Sequence, residues 1–327
     1  MRELRIDALT GLRSVVVTER ASRPGAGFQV PPAPPVDAAA DPFAEGHEDR
    51  TPPEVHAVRP GGGPADTPGW TVRVVPNLYP AVTADAGEPP AQEAPDLFAA
   101  TAARGAHEVI VNAPASVATL GELEPAQLAT AMDVWAARIR HHRDAGAACV
   151  HVSVNEGLEG GASQQHTHAQ LFALDFVPAA IARERERFGA YATRTMGGNL
   201  LADLVQEEVR RRDRLVAVDR EAVAIAPYAS RGPFQLLIAP RRPAPRFEDG
   251  PGGAALLHDV LTRLTRVLGA PPPLNLWVRT APAGAEHFGW RIDVVPRLTP
   301  LAGLELGTGV HLCTVAPEHA AALLRDA

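Results

Sequence analysis

The stretch NEGLEGGASQQHTHAQ, residues 155–170, carries the pattern that decides how the rest of the chain reads. Its second part, HTHAQ, spaces His166, His168 and Gln170 two residues apart, so on a β-strand the three side chains share one face. Upstream, Gly157, Gly160 and Gly161 permit close backbone approach and exposed N–H groups, the equipment of a loop that cradles phosphate. Ser163 adds a hydroxyl donor at the end of that loop. A neutral imidazole attacks phosphorus when one ring nitrogen is free and the other is held by a hydrogen bond. Gln170 and the loop amides then stand where they stabilise charge on phosphoryl oxygens. An isolated His-x-His also occurs as a metal pair or on a solvated strand face. The Gly-Ala-Ser run before it and the glutamine after it select phosphoryl chemistry.

Working outward, Cys149 to Asn155 reads as a strand leading into the glycine loop, and Pro178 closes the unit. Residues 120–142 read as a helix, with Pro125 in its first turn, Glu124 at its N-terminus, and Leu128, Met132, Trp135 and Ile139 at helical spacing. Trp70 to Pro76 and Glu108 to Val111 are short strands. Three Pro/Gly/Ala-rich stretches, 24–40, 56–69 and 83–96, are loops. Beyond residue 178, a charged segment at 179–214 is helical in two pieces divided by Gly197 and Gly198. Strands are expected at 215–226, 234–239, 275–280 and 290–295, with a helix at 254–268. The order strand, strand, helix, strand, strand thus occurs twice, a coarse internal duplication.

Composition bounds the function. The chain has 327 residues, 46% hydrophobic and 21% charged, enough for two ordinary globular domains. Its formal net charge of −7 gives no reason to expect a nucleic-acid partner. All 31 basic residues are arginine, which base composition explains as readily as phosphate binding. Cys149 and Cys313 lie in apolar, strand-like runs and read as buried thiols, not as a disulfide framework. No segment resembles a signal peptide or membrane span, so a cytoplasmic location without membrane contact is expected. His141 and His142, at a helix end, read as favouring its dipole, and the remaining histidines, His107 among them, have no spacing partner.

The pattern Asn155-x-Gly157…Gly161-Ala162-Ser163…His166-x-His168-x-Gln170 resembles the active-site segment of galactose-1-phosphate uridylyltransferases, and plant-type ADP-glucose phosphorylase is similar there. The likeness runs in order along nearly the whole chain. It includes RIDALTGLRSVVVTERASRP from Arg5, DPFAEGHEDRTPPEV at 41–55, WTVRVVPNLYPAV at 70–82, HEVIVNAP at 107–114 and the C-terminal run from Trp290. The resemblance implies an α+β fold of two tandem, duplicated histidine-triad-like domains, each an antiparallel sheet with packed helices. Residues 1–178 would form the catalytic one and 179–327 its C-terminal counterpart, in a homodimer. It implies ping-pong transfer through a nucleotidyl group on His168. Gln170 and Ser163 would hold the phosphoryl oxygens, and Arg20, Arg23, Asn77, Asn155, Gly157 and Gly161 would lie around the nucleotide. The partners implied are a nucleotide or nucleotide-sugar and a phosphate-bearing acceptor.

Departures from the family pattern are informative. Many members hold structural zinc with two cysteines, a histidine and the first histidine of H-x-H. Here those positions are Asp41, Ala44, Ser116 and His166, so no zinc and no other cofactor is expected, with packing around Pro42 and Phe43 in its place. A second metal site, built in some members on an H-x-H of the C-terminal half, meets Trp290-Arg291-Ile292-Asp293. The sugar-phosphate-binding stretch is replaced by AGLELGTG at 302–309, so galactose 1-phosphate is not implied as the acceptor. Base and acceptor stay open, Asn77 and Arg73 being placed to read base or ribose. Sugar phosphate, inorganic phosphate and water are all compatible acceptors, and a non-catalytic nucleotide-binding member is the alternative from another class. A zinc hydrolase using both histidines lacks a third ligand at suitable spacing.

Overall fold

The computed structural model describes residues 2–19, 28–91 and 97–327. The elements in the first half are β1 (Arg2–Ile6), β2 (Arg13–Val17), β3 (His56–Val58), β4 (Val72–Pro76), β5 (Gly105–Val111), α1 (Pro125–Asp144), β6 (Cys149–Glu156) and β7 (His168–Leu174). Those that follow are α2 (Ala179–Arg194), α3 (Leu200–Arg211), β8 (Leu215–Val218), β9 (Ala222–Ile225), β10 (Leu236–Pro240), α4 (Ala254–Leu268), β11 (Leu274–Arg279), β12 (Arg291–Pro296), α5 (Gly303–Thr308), β13 (Val310–Cys313) and α6 (Pro317–Arg325). The fold is α+β, as the family resemblance implies.

Ten strands form one sheet in the order β3-β4-β5-β7-β6-β11-β12-β10-β9-β8, every pair antiparallel. The order is symmetric about the β6–β11 pair, where Asn155 stands opposite Asn275. Each half runs three strands, a helix and two strands, so the duplication visible in the sequence becomes a two-fold repeat of topology. The repeats fuse edge to edge, which leaves neither β6 nor β11 with an unpaired edge to manage. A smaller sheet, β1-β2-β13, joins the two chain ends, with β13 parallel to β2.

One face of the large sheet is mostly apolar, with the buried carboxylates Glu108 and Glu156 as exceptions. Val152, Val154, Ala169, Leu171, Leu276 and Val278 point into a single core with Leu128, Met132, Trp135 and Ile139 of α1 and Leu257, Val260, Leu261 and Leu264 of α4. The opposite face is covered only at its two ends. Trp70 and Phe43 pack on Val75, Val109 and Val111 at one end, and Phe188 and Leu201 pack on Val223, Ile225, Leu237 and Ala239 at the other. Between those covers, the same face of β7, β6 and β11 carries the partly exposed polar side chains Gln170, Ser153, Asn155 and Asn275. Period-two alternation thus produces both a core face and a cleft floor from the same strands.

Two local expectations need correction. The apolar run 215–226 is a hairpin and not one strand, because Asp219 Oδ1 accepts the N–H groups of Glu221 (2.8 Å) and Ala222 (2.7 Å) and turns the chain. Glu124 makes no side-chain cap on α1. The capping lies one turn earlier, where Thr119 and Glu122 form a capping box on a short 3-10 turn.

Candidate active site

His168 opens β7, paired with Val111 of β5. It is 5% exposed. Its Nδ1 lies 2.7 Å from the carbonyl oxygen of His166, so Nδ1 carries the proton and donates it. That tautomer leaves Nε2 with a free lone pair. Burial lowers the pKa of His168 and outweighs the opposing bond to the His166 carbonyl, which keeps the ring neutral. The Phe43 ring lies beside it, centroids 5.2 Å apart. A buried, neutral, oriented imidazole is the form in which histidine acts as a nucleophile.

His166 sits in a different environment. Its Nδ1 is 2.7 Å from Asp41 Oδ2 and its Nε2 is 2.9 Å from the carbonyl oxygen of Ala113. Ser116 donates to the same Asp41 oxygen at 2.6 Å, and the Phe43 N–H donates to its other oxygen at 2.9 Å. Burial opposes ionisation of Asp41, but the bonds from Ser116, His166 and Phe43 prevail and hold its carboxyl below the usual range. The positions that resemble the family's zinc ligands therefore do meet in space, as a hydrogen-bonded cluster. They do not fit zinc: both nitrogens of His166 are engaged, Ala44 offers no donor atom, and no thiolate is present. Packing of Phe43 against both histidines adds to these bonds rather than replacing them.

Gln170 shares the face of His168. Its Oε1 is 3.2 Å from His107 Nε2. His107 Nδ1 accepts the N–H of Ala81 at 3.2 Å, so Nε2 is the protonated nitrogen and donates to Gln170. The His107 ring stacks on Phe172 with centroids 4.0 Å apart. Asn77 joins the group: its Oδ1 accepts the Tyr79 N–H (2.8 Å) and its Nδ2 lies 3.2 Å from His107 Nε2. In the sequence His107 is background, since a histidine beside a β-branched run signals nothing until β5 pairs with β7.

The glycine loop leans on the second half of the chain. Asn275 Nδ2 donates to Asn155 Oδ1 at 2.8 Å and to the Gly160 carbonyl at 2.7 Å. A side chain at Gly160 would lie 2.2 Å from the Glu156 carbonyl oxygen and 2.6 Å from that of Leu274. At Gly157, φ is +73° and an added Cβ would meet Pro273 at 2.8 Å. The N–H groups of Gly160, Gly161 and Ala162 bond to carbonyls inside the loop. Those three amides fix the loop's shape rather than face a ligand. Ser163 is exposed at the loop's end. Arg20 and Arg23 lie outside the described residues.

Two other sequence readings change. Arg73 is a buried structural hub, bonded to Glu54 (3.0 Å), Thr51 (2.7 Å) and Asp66 (2.5 Å), and reads no base. His142 lies 2.9 Å from Glu108 Oε1, in a buried cluster with Arg138, which goes beyond a favourable helix dipole. Arg291 and Asp293 meet Glu184 in a second buried cluster, where Arg291 donates to Glu184 (3.0 Å) and Asp293 (2.9 Å) and Arg279 lies 3.3 Å from Glu184. Two guanidinium groups inside that cluster exclude a metal cation from it. Among the described residues no three His, Cys, Asp or Glu side chains are grouped to hold a metal ion.

The model of the galactose-1-phosphate uridyl transferase N-terminal domain matches residues 1–178. The chain belongs to the galactose-1-phosphate uridylyltransferase family. It is 26% identical to ADP-glucose phosphorylase of Arabidopsis thaliana, over 99% of this chain and 92% of that protein. It is 27% identical to a galactose-1-phosphate uridylyltransferase of Cryptococcus neoformans, over 98% and 89% of the two chains. Among solved structures, the Arabidopsis thaliana ADP-glucose phosphorylase with bound ADP-glucose superposes with a TM-score of 0.81 at 24% identity, covering 100% and 99% of the chains. A uridylyltransferase structure gives a TM-score of 0.75 at 25% identity, covering 100% and 98%. Relatives across nearly its full length are thus enzymes of nucleotidyl transfer, and the fold is theirs. No helix among the described residues is long and apolar enough to cross a membrane.

Proposed function

We propose that this chain is a nucleotidyltransferase acting on a nucleotide-sugar or related nucleoside diphosphate compound by a ping-pong route through nucleotidyl-His168. The observation that carries the reading is the tautomer of His168. Its Nδ1 proton is tied to the His166 carbonyl, so the free lone pair sits on Nε2. In the first half-reaction Nε2 attacks the α-phosphorus, the N–P bond forms, and the bond to the bridging oxygen breaks with its electron pair kept by the leaving phosphate. In the second, an oxygen of the acceptor attacks phosphorus and the pair returns to Nε2. Gln170, oriented by His107, donates its amide to the phosphoryl oxygens, with Ser163 at the loop's end as a second donor. Asn77, Asn155, Gly157 and Gly161 surround the nucleotide.

Inorganic phosphate as acceptor, the phosphorylase version, is supported by the likeness to ADP-glucose phosphorylase over nearly the full chain. The same reading takes the active protein to be a zinc-free homodimer in the cytoplasm, with residues 1–178 and 179–327 as its two repeats. Incubation with UDP-glucose, ADP-glucose, GDP-sugars and dinucleoside polyphosphates, each followed by intact mass, tests it. A nucleotidyl adduct that disappears in His168→Ala is expected. Absence of any adduct, with nucleotide binding retained, would make the chain a binding protein instead.

A further inference from the structure

Two carboxamides flank the nucleophile on the cleft floor. Gln170 lies two residues along β7 from His168. Continuing the β6–β7 register one residue past the Val154–Ala169 pair sets Asn155 opposite His168. Directly paired residues on neighbouring strands face the same side about 5 Å apart, so Asn155 stands beside the nucleophile on its own face. A carboxamide stabilises charge on a phosphoryl oxygen only with its NH₂ end, and its two ends have nearly the same shape. A neighbour must therefore choose between them. For Gln170 that neighbour is His107.

For Asn155 the choice comes from the second repeat. Asn275 stands directly opposite it across the β6–β11 seam. The Gly160 carbonyl lies 2.7 Å from Asn275 Nδ2, and a carbonyl can only accept, so Asn275 presents its NH₂ to the loop. The same nitrogen lies 2.8 Å from the Asn155 carboxamide, which must answer with its oxygen. Asn155 Nδ2 is thereby turned away from Asn275, and among the described residues it bonds to no protein group. Among the described residues, Asn275 is also the only side chain that hydrogen-bonds to the loop 157–163. The two residues before it hold that loop by close contact, Pro273 at Gly157 and the Leu274 carbonyl at Gly160.

We infer that Asn275 is a positioning residue: by holding Asn155 Oδ1 and the Gly160 carbonyl together, it turns the Asn155 amide toward the phosphoryl group that His168 addresses. The C-terminal repeat carries no H-x-H of its own. It enters the chemistry through one side chain at the seam. This role rests on the nucleotidyl-transfer reading for the reaction it serves, while the aim of the Asn155 amide at a nucleotide phosphate is read by binding alone.

The test compares Asn275→Ala and Asn275→Asp in the full chain, each with and without Asn155→Ala. Single-turnover adduct formation is followed by intact mass with the nucleotide donor that labels the wild type, and binding of ADP and UDP by calorimetry. An aspartate carboxylate accepts but cannot donate, so it draws the Asn155 NH₂ to itself and turns the oxygen toward the phosphate. Asn275→Asp is therefore expected to slow adduct formation about a hundredfold, and Asn275→Ala about tenfold, on the scale of one misdirected or freely rotating donor. With Asn155→Ala already present, both should cost no more than about twofold, because their effect passes through that amide. Equal losses in the two variants that add to the loss in Asn155→Ala overturn the role and leave Asn275 a packing residue. Should the aspartate variant fail to fold, the alanine variant and its cycle with Asn155→Ala decide alone. If the adduct forms at the wild-type rate in both variants, the role of Asn275 falls and the transfer reading stands. If the wild type binds ADP or UDP but forms no adduct, the transfer reading falls. Weaker nucleotide binding in the Asn275 variants, lost in the Asn155→Ala background, then upholds the positioning, and unchanged binding overturns it. A wild type that neither binds nor is labelled overturns both.

Discussion

His107 Nε2 stands 3.2 Å from Gln170 Oε1, and this contact decides which end of the Gln170 carboxamide faces the nucleophile. Because Nδ1 is occupied by the Ala81 N–H, the histidine donates, the Gln170 oxygen accepts, and the amide NH₂ is left for the substrate. His107→Phe keeps the stack on Phe172 and removes the donor. It is expected to lower the rate of nucleotidyl-His168 formation about tenfold to a hundredfold, the scale of losing one oriented donor to a developing oxyanion. The KM for the donor should change far less, and His107→Asn should restore part of the rate. Equal loss in kcat/KM for both variants, with a fall in Tm, would reduce His107 to a packing residue.

Burial holds the pKa of His168 below its ordinary value, so the imidazole stays neutral to lower pH than a solvent-exposed histidine. The sign follows directly. Protonation blocks Nε2, so adduct formation should be flat from about pH 8 down through the normal histidine range and fall only below it. Single-turnover rates measured between about pH 5 and 8 check this. A midpoint above about 6.5 for the wild type, following histidine protonation, would contradict the geometry at His168.

Much of this site is legible in the sequence because strand periodicity and glycine conformation are local properties. His166, His168 and Gln170 alternate along one extended run, and Gly157 does adopt a positive φ. The same locality explains what the sequence hides. His107 reaches Gln170 only through the β5–β7 pairing, across 63 residues of sequence, and Asn275 reaches Asn155 across 120. Arg73 is misread from sequence for the same reason, since its partners Glu54, Thr51 and Asp66 lie on the two segments that flank β3, the strand paired with β4. The joining of the two repeats into one continuous sheet is equally hidden, because nothing in either half marks β6 or β11 as the edge that meets its counterpart.

The cluster Asp41–Ser116–His166 makes a prediction about metal. Purified protein should contain no stoichiometric zinc, and chelator treatment should leave Tm and adduct formation unchanged. Asp41→Asn weakens the bond to His166 Nδ1 and the one from Ser116, in a buried place where a lost charged partner costs about 1–3 kcal/mol. The triple substitution Asp41→Cys, Ala44→Cys, Ser116→His should instead bind one zinc per chain, readable by native mass. One zinc per chain in the wild type, lost together with Tm on chelation, would show that the hydrogen-bonded cluster is not the native state of these side chains.

Glu156 gives a stability prediction with a definite sign. It ends β6 just before the glycine loop, and its Oε1 accepts the Leu120 N–H at 2.6 Å. Full burial pushes its pKa up to about 8, against the stabilising effect of that bond, so the folded protein holds the carboxyl neutral at pH 7. In the unfolded chain the same group ionises near pH 4.5. Between those values the folded state binds the extra proton, so its contribution is fully favourable below pH 4.5, declines as pH rises, and is lost by about pH 8. Glu156→Gln keeps an acceptor for Leu120 and cannot ionise. Urea unfolding of both proteins at about pH 5, 7 and 9 should show little difference at the lowest of these. At the highest, the variant should be more stable by a few kcal/mol. Each pH step of one between the unfolded and folded pKa values is worth about 1.4 kcal/mol, which sets a ceiling of ~5 kcal/mol. A stability difference that does not grow with pH would place Glu156 in contact with solvent or with a cation in the folded state.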